Sequence, residues 1–239
     1  MNTLSRLADN IRLGADAVDD RLVSGLVRGA VHEVYGDDID ASAATGFALL
    51  LAHRAAAARP IVIVRTDRSV ADLGRLYGEG LVELGLRASD VILVHSPDDT
   101  AALRVAADAV ACSGIGAVVF APWRGAPVVD LTASRRLALR AERSRVFTLV
   151  VRIGVDPVAS AAATRWHVTA APSTALAAQA PGYTAFEINL LRNRRGIAGF
   201  TARVEWDRDQ QRFCDPPLRG AVPAVAARRT GDPGERRAA

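Results

Sequence analysis

One short stretch, Val31 to Leu51, holds residues whose types and spacing could do chemistry. It reads VHEVYGDDIDASAATGFALLL, with Gly36, Asp37, Asp38, Asp40, Thr45 and Gly46 inside it. A strand running into a glycine and then into a helix is the frame of a phosphate-gripping loop. Such a loop needs a second glycine for close backbone approach, a lysine for the terminal phosphates and a hydroxyl for Mg²⁺. Here Gly36 is followed by three carboxylates, which repel a triphosphate. The 239-residue chain contains no lysine at all. Thr45-Gly46 lies nearby but without the cation. The frame of a nucleotide-binding domain is therefore expected with its gripping chemistry removed, and Gly36, Asp37, Asp38, Thr45 and Gly46 form a degenerate phosphate loop.

Other chemistries find less support. Asp37, Asp38 and Asp40 could bind a cation, which needs several converging oxygens; a solvated polar loop is the favoured reading. Histidines 32, 53, 95 and 167 form no HxxxH or HxH pair and are read as structural. Serines 42, 96, 134 and 160 lack a Gly-x-Ser-x-Gly elbow. Cys112 and Cys214 make no metal set and fit a reducing compartment; Cys112, in an apolar helical run, reads as a small core residue. No catalytic residue, cofactor or metal is expected. Trp123, beside Arg124 after Ala121-Pro122, is the one aromatic–cation pair expected at a sheet end. It could stack on a base or anchor a partner, or simply pack over the sheet.

Half the residues are hydrophobic, enough for one domain with a sizeable core. No apolar run approaches the roughly 20 residues that span a bilayer, and the N-terminus lacks a secretory h-region, so a cytoplasmic protein without membrane contact is expected. The net charge is +4. From Phe186 onward eleven Arg face seven acids, whereas nineteen face nineteen before it. This bias permits contact with nucleic acid or an acidic protein, although Arg replaces lysine throughout the chain and a plain solvated surface explains it as well.

These residues must be positioned by a framework that can be read in order. Residues 1–24 read as a short helix, a polar turn at Asp16 to Asp20 and a linker. Strands are expected at Val31 to Tyr35, Ile61 to Val64, Val91 to Val94, Ala117 to Phe120 and Phe147 to Val151, all buried. Helices alternate with them: Ala43 to Ala58 capped by Ser42, Val70 to Leu84 closed by Gly85, a helix opened by Ser96-Pro97 and running to about Cys112, and Leu131 to Arg143 capped by Asp130. Alternation with short loops calls for a parallel α/β sheet. Arg165 to Val168, Phe186 to Leu190 and Ala202 to Trp206 then read as strands without intervening helices, antiparallel extensions of one sheet edge. Trp166 and Trp206 are expected in the core. Residues 214–239 are Pro, Ala, Arg and Gly with few large apolar side chains, and disorder is expected there.

Several segments in this order resemble the RecA/SulA-like family and, within it, the ImuA family of bacterial inducible mutagenesis proteins. They are Gly29-Ala-Val-His-Glu-Val-Tyr-Gly36, Leu76-Tyr-Gly, Leu84-Gly-Leu-Arg, Val91 to Val94 with Ser96-Pro97-Asp98, Ala163-Thr-Arg-Trp-His-Val, Leu190-Leu-Arg-Asn-Arg-Arg-Gly and Val204-Glu-Trp-Asp. The resemblance covers about Gly29 to Phe213. It implies a RecA-like domain over 25–213, a core of parallel strands flanked by helices with C-terminal antiparallel strands. Ala121 stands where RecA-type ATPases place a Mg²⁺-ordering acid, and Asp67 near their water-activating acid. The resemblance further implies a non-catalytic adaptor in SOS-induced translesion synthesis, partnered by an ImuB-like protein, an error-prone C-family polymerase and RecA, cytoplasmic and nucleoid-associated when DNA is damaged. Self-association and direct DNA contact are open. Arg192 and Arg194, which match a basic pair that RecA directs at a neighbouring subunit, are candidate contacts, as are Arg195 beside them and Arg228 and Arg229 in the tail. The alternatives are a SulA-like division inhibitor and a residual nucleotide-binding regulator.

Overall fold

The computed structural model describes residues 10–217 except 24, 177 and 179. Arg228 and Arg229, and most of the tail expected to be disordered, lie outside the described residues. The β-branched runs form strands because continuous apolar runs suit strands buried on both faces. These are β1 (Val31–Gly36), β2 (Ile61–Thr66), β3 (Val91–Ser96), β4 (Ala117–Ala121), β5 (Phe147–Ile153), β6 (Thr164–Ala170), β7 (Ala185–Asn193), β8 (Phe200–Asp207) and β9 (Arg212–Cys214). They make a single nine-stranded sheet of order β3-β2-β4-β5-β1-β6-β7-β8-β9. Strands β3 to β6 in that order are parallel, and β7, β8 and β9 add on antiparallel. The expected core of parallel strands flanked by helices, with an antiparallel extension, is present. Two details differ: β6 runs parallel beside β1, and β9 includes Cys214, which by composition belongs to the tail.

The helices are α1 (Asp16–Leu22), α2 (Ala41–Ala56), α3 (Asp67–Leu73), α4 (Gly78–Glu83), α5 (Asp99–Ala111) and α6 (Leu131–Ser144). Helix α2 is apolar nearly all round and is correspondingly buried, with Phe47 to Ala52 sealed against one sheet face. Phe47 stands at the centre of a ring cluster with Trp166, Phe186 and Phe213, at centroid distances of 6.1, 5.8 and 5.1 Å. Trp166 and Trp206 are core residues, as expected. Asp16 to Asp20 is helical, not a turn, and Leu13, Val18 and Leu22 join the same core. Helices α5 and α6 cover the other face. No helix among the described residues is long and apolar enough to cross a membrane.

Four expectations are corrected by local chemistry. Strand β3 is the sheet edge, so Ile92 and Leu93 are exposed instead of buried. Pairing of Ser96 with Thr66 keeps Ser96 in β3, and Asp98 caps α5 by accepting from the Ala101 N–H at 2.8 Å. The helix expected over 70–84 is broken at Gly74 (φ +79°), whose carbonyl accepts from the buried Arg65 guanidinium at 2.7 Å. Cys112 is exposed. Asp130 caps α6 as read, accepting from the Ala133 N–H at 2.7 Å, and Gly85 ends α4 at φ +94°.

Candidate functional site

The carboxyl edge of the parallel strands gathers the first group of sequence-derived candidates. A phosphate loop needs a wide backbone arc between strand and helix. Here β1 ends at Gly36, and Asp38–Asp40 form one 3-10 turn that leads directly into α2. A Cβ on Gly36 would lie 2.7 Å from the Ala44 Cβ, so the glycine serves close strand–helix packing and the arc is closed. Thr45 and Gly46 stand in the second turn of α2, not in the loop, and Gly46 faces the Phe186 ring. Ser42 is not the cap; Asp40 precedes the helix and spends its carboxylate on the Ala170 N–H at 2.8 Å.

The acids of this edge are met by the chain's own groups. Asp37 lies 3.5 Å from the His167 Nε2. Arg124, in the left-handed region at φ +40°, reaches Asp38 at 3.0 Å and Asp72 of α3 at 3.2 Å. Its hydrogen bond to Asp38, then their charge attraction, raises the Arg124 pKa above its ordinary value. Trp123 and Arg124, read either as a stacking pair or as packing over the sheet end, are both partly buried. Trp123 is half-buried, with the Arg68 guanidinium 3.5 Å over its ring and its backbone N–H on Asp99 at 2.9 Å. Arg124 lies 5.8 Å from the centre of the same ring while it reaches the two carboxylates. The Trp123 indole N–H is buried without a hydrogen-bond partner. Ala121 closes β4, and Asp67 opens α3 as an exposed residue.

These residues do not fit a nucleoside triphosphate with Mg²⁺. The loop arc is closed, lysine is missing, Ala121 offers Mg²⁺ no oxygen from its side chain, and Arg124 is held by two carboxylates. Among the described residues no group of three or more His, Cys, Asp or Glu is placed to hold a metal ion.

Arg194 and Arg195 lie on the opposite, amino edge of the sheet. The pairing of Thr164 with Asn193 brings the turn after β7 to the start of β6. The Asn193 carboxamide accepts from the Arg195 N–H at 3.0 Å, and Arg194 donates from its backbone to Ala163 and from its side chain to Ser160. Both arginines line a cleft of about 680 Å³ together with Arg28, Arg135, Arg145 and Glu142. Arg192 is not among its lining residues. The floor is the 27–31 segment. There Gly29 (φ +73°) runs so close against α6 that a Cβ added to it would lie only 3.0 Å from the Ala141 carbonyl.

That segment is anchored from below by His32. Its Nε2–H donates to the Val27 carbonyl at 3.0 Å, its Nδ1 accepts from the Thr164 hydroxyl at 2.7 Å, and the Trp166 N–H donates to the same hydroxyl oxygen at 2.9 Å. Burial lowers the His32 pKa to about 4, so the ring is neutral near pH 7. Arg28, Arg135 and Arg145 do not stand out in the sequence. The signal that could have found the last two is the spacing of Arg135, Ala138, Leu139, Glu142 and Arg145, one face of a helix.

No protein-family model matches the chain. Protein ImuA from two strains of Caulobacter vibrioides is 33% identical over 165 residues, which is 62% of this chain and 63% of each relative. The match thus spans less than two thirds of the relatives' length. The crystal structure of the RadB recombinase superposes with a TM-score of 0.60 at 18% identity, covering 86% of this chain and 99% of that one. By fold the chain is RecA-like, and by sequence it is a homologue of the proteins named ImuA.

Proposed function

We propose that this chain is a non-catalytic, RecA-like accessory protein of the DNA-damage response, serving SOS-induced translesion synthesis as an adaptor. Its partners in this reading are an ImuB-like protein, an error-prone C-family polymerase and RecA, in a cytoplasmic protein that joins the nucleoid when DNA is damaged. The observation that carries the reading is the closed carboxyl edge. Arg124 bridges Asp38 and Asp72 where a triphosphate would have to lie. Phosphoryl transfer depends on positioning and charge neutralisation together, and neither is supplied here. A RecA-like body without that chemistry still offers surface, and the similarity to ImuA points the surface toward DNA damage.

The test is affinity purification of the chain from cells exposed to a DNA-damaging agent, paired with an ATPase assay in the presence of single-stranded DNA. The expected result is recovery of the ImuB-like protein and the polymerase, with no turnover of ATP. Recovery of the tubulin-like division protein instead, or steady hydrolysis abolished by Asp67→Ala, would overturn the reading.

A further inference from the structure

We infer that the cleft between α6 and the turn after β7 is a docking site for the phosphodiester backbone of duplex DNA. This goes beyond the adaptor role, since an adaptor can reach DNA through its partners alone. Among the described residues, three exposed arginines line the cleft, Arg135, Arg194 and Arg195, with Arg28 and Arg145 deeper and engaged by the chain itself, and the one described acid is Glu142. Arginine stays charged at any physiological pH, and its planar fork matches phosphate oxygens. Concentrated cations of one sign in a concave surface focus the field and raise the local concentration of a polyanion.

The imbalance extends along the helix: residues 131–145 hold five Arg and one acid, Glu142. Arg135 and Arg195 are exposed and stand on the two walls. Both walls are fixed. One is a regular helix with its Asp130 cap, and the other is a turn pinned by Asn193, Ala163 and Ser160. Such positioning lowers the ordering cost of binding.

The lining decides which polyanion fits. None of the described lining residues is aromatic, so among them unstacked bases find no ring to lie on, and stacking is what favours single strands. A wall of arginines reads phosphates without reading sequence. Duplex DNA offers the higher charge density and the larger counterion release. An acidic protein segment would also be attracted, but it brings a lower and less regular charge than a phosphate every few ångströms.

The experiment uses the purified full chain and fluorescein-labelled duplex DNA, read by anisotropy over a salt series. Two duplexes of unrelated sequence are expected to bind alike, and a single strand of equal length no more tightly. Arg135→Glu/Arg195→Glu should weaken both duplexes by about tenfold or more and flatten the log–log salt slope by about two. The charge-matched control Arg75→Glu/Arg104→Glu, two exposed arginines outside the cleft, should change affinity far less. Arg135→Gln/Arg195→Gln should fall between. Thermal melts establish that each variant is folded. Equal losses in cleft and control variants, a marked preference for the single strand, or displacement of DNA by poly-glutamate at matched charge would each overturn the inference. Because only this chain and DNA are present, a failure here leaves the adaptor reading standing, and a failure of partner recovery leaves this one standing.

Discussion

At the carboxyl edge of the sheet the ionic groups answer one another; at the amino edge exposed arginines face each other across a cleft whose one described acid is Glu142. Asp38 and Asp72 hold Arg124, His167 approaches Asp37, and Asp40 is spent on a backbone N–H. In the cleft floored by residues 27–31, Arg135 and Arg195 stand exposed on the two walls. Ligands of open α/β sheets gather at the carboxyl edge. In this chain that edge is closed by its own side chains, and the excess of one charge has moved to the other end of the same strands. A fold can thus keep its frame and change which end does the work.

Four variants break or sharpen this contrast, beginning with the largest effect. The strand joining the two edges carries a buried ion pair, Glu33 with Arg165 at 2.9 Å, and the Tyr35 hydroxyl also reaches Glu33. Breaking a buried pair by removing one partner is costly. Glu33→Gln should therefore lower stability by about 3 kcal/mol or more, measured by urea unfolding. A loss comparable to that of an exposed pair would mean that the ion pair does not tie β1 to β6.

Next comes the anchor beneath the cleft. His32 is fully buried with its pKa lowered to about 4. Between the unfolded value of about 6.5 and the folded one, the unfolded chain binds the extra proton. Its contribution is thus complete above about pH 6.5 and is lost as pH falls toward 4, on the order of 3 kcal/mol in all. A stability profile over that window should slope downward on acidification for the parent and be flatter for His32→Gln. Parallel profiles would show that the ring is not held neutral.

The closed phosphate loop is third. Gly36→Ala places a Cβ 2.7 Å from the Ala44 Cβ, and such overpacking costs about 1–3 kcal/mol. Gly36→Ala/Ala44→Gly should recover part of the loss in a thermal melt. No loss from the single variant would mean that the loop can open. Smallest is Arg124→Ala. Its two ion pairs are solvent-exposed and are screened by salt, so the melting temperature should fall slightly at low ionic strength and less at high. A large, salt-independent fall would show that Arg124 does more than neutralise Asp38 and Asp72.

Much of the frame was legible. Runs such as IVIV and FTLVV read as sealed strands and are so, Asp130 caps its helix where the acid precedes an apolar-periodic run, and Trp166 and Trp206 lie where alternation buries them. Strand order was not legible. VILV reads as buried by composition, yet β3 is an edge, because a local pattern does not say which strands have two neighbours. Nor could the sequence show that Arg65 would hold the Gly74 carbonyl and break a helix. The missing lysine was plain from composition, but the Arg124 bridge joins residues from three separate segments, one of them helix α3. The basic cleft was hidden by averaging: nineteen Arg against nineteen acids before Phe186 looks neutral until α6 is folded against the turn after β7.

The central claim is that the nucleotide edge is closed by the chain itself. Calorimetric titration of the purified protein with ATP and Mg²⁺ tests it most directly. The account predicts no saturable heat up to millimolar ATP. Saturable one-to-one binding that is lost when Asp38 or Thr45 is changed would contradict it.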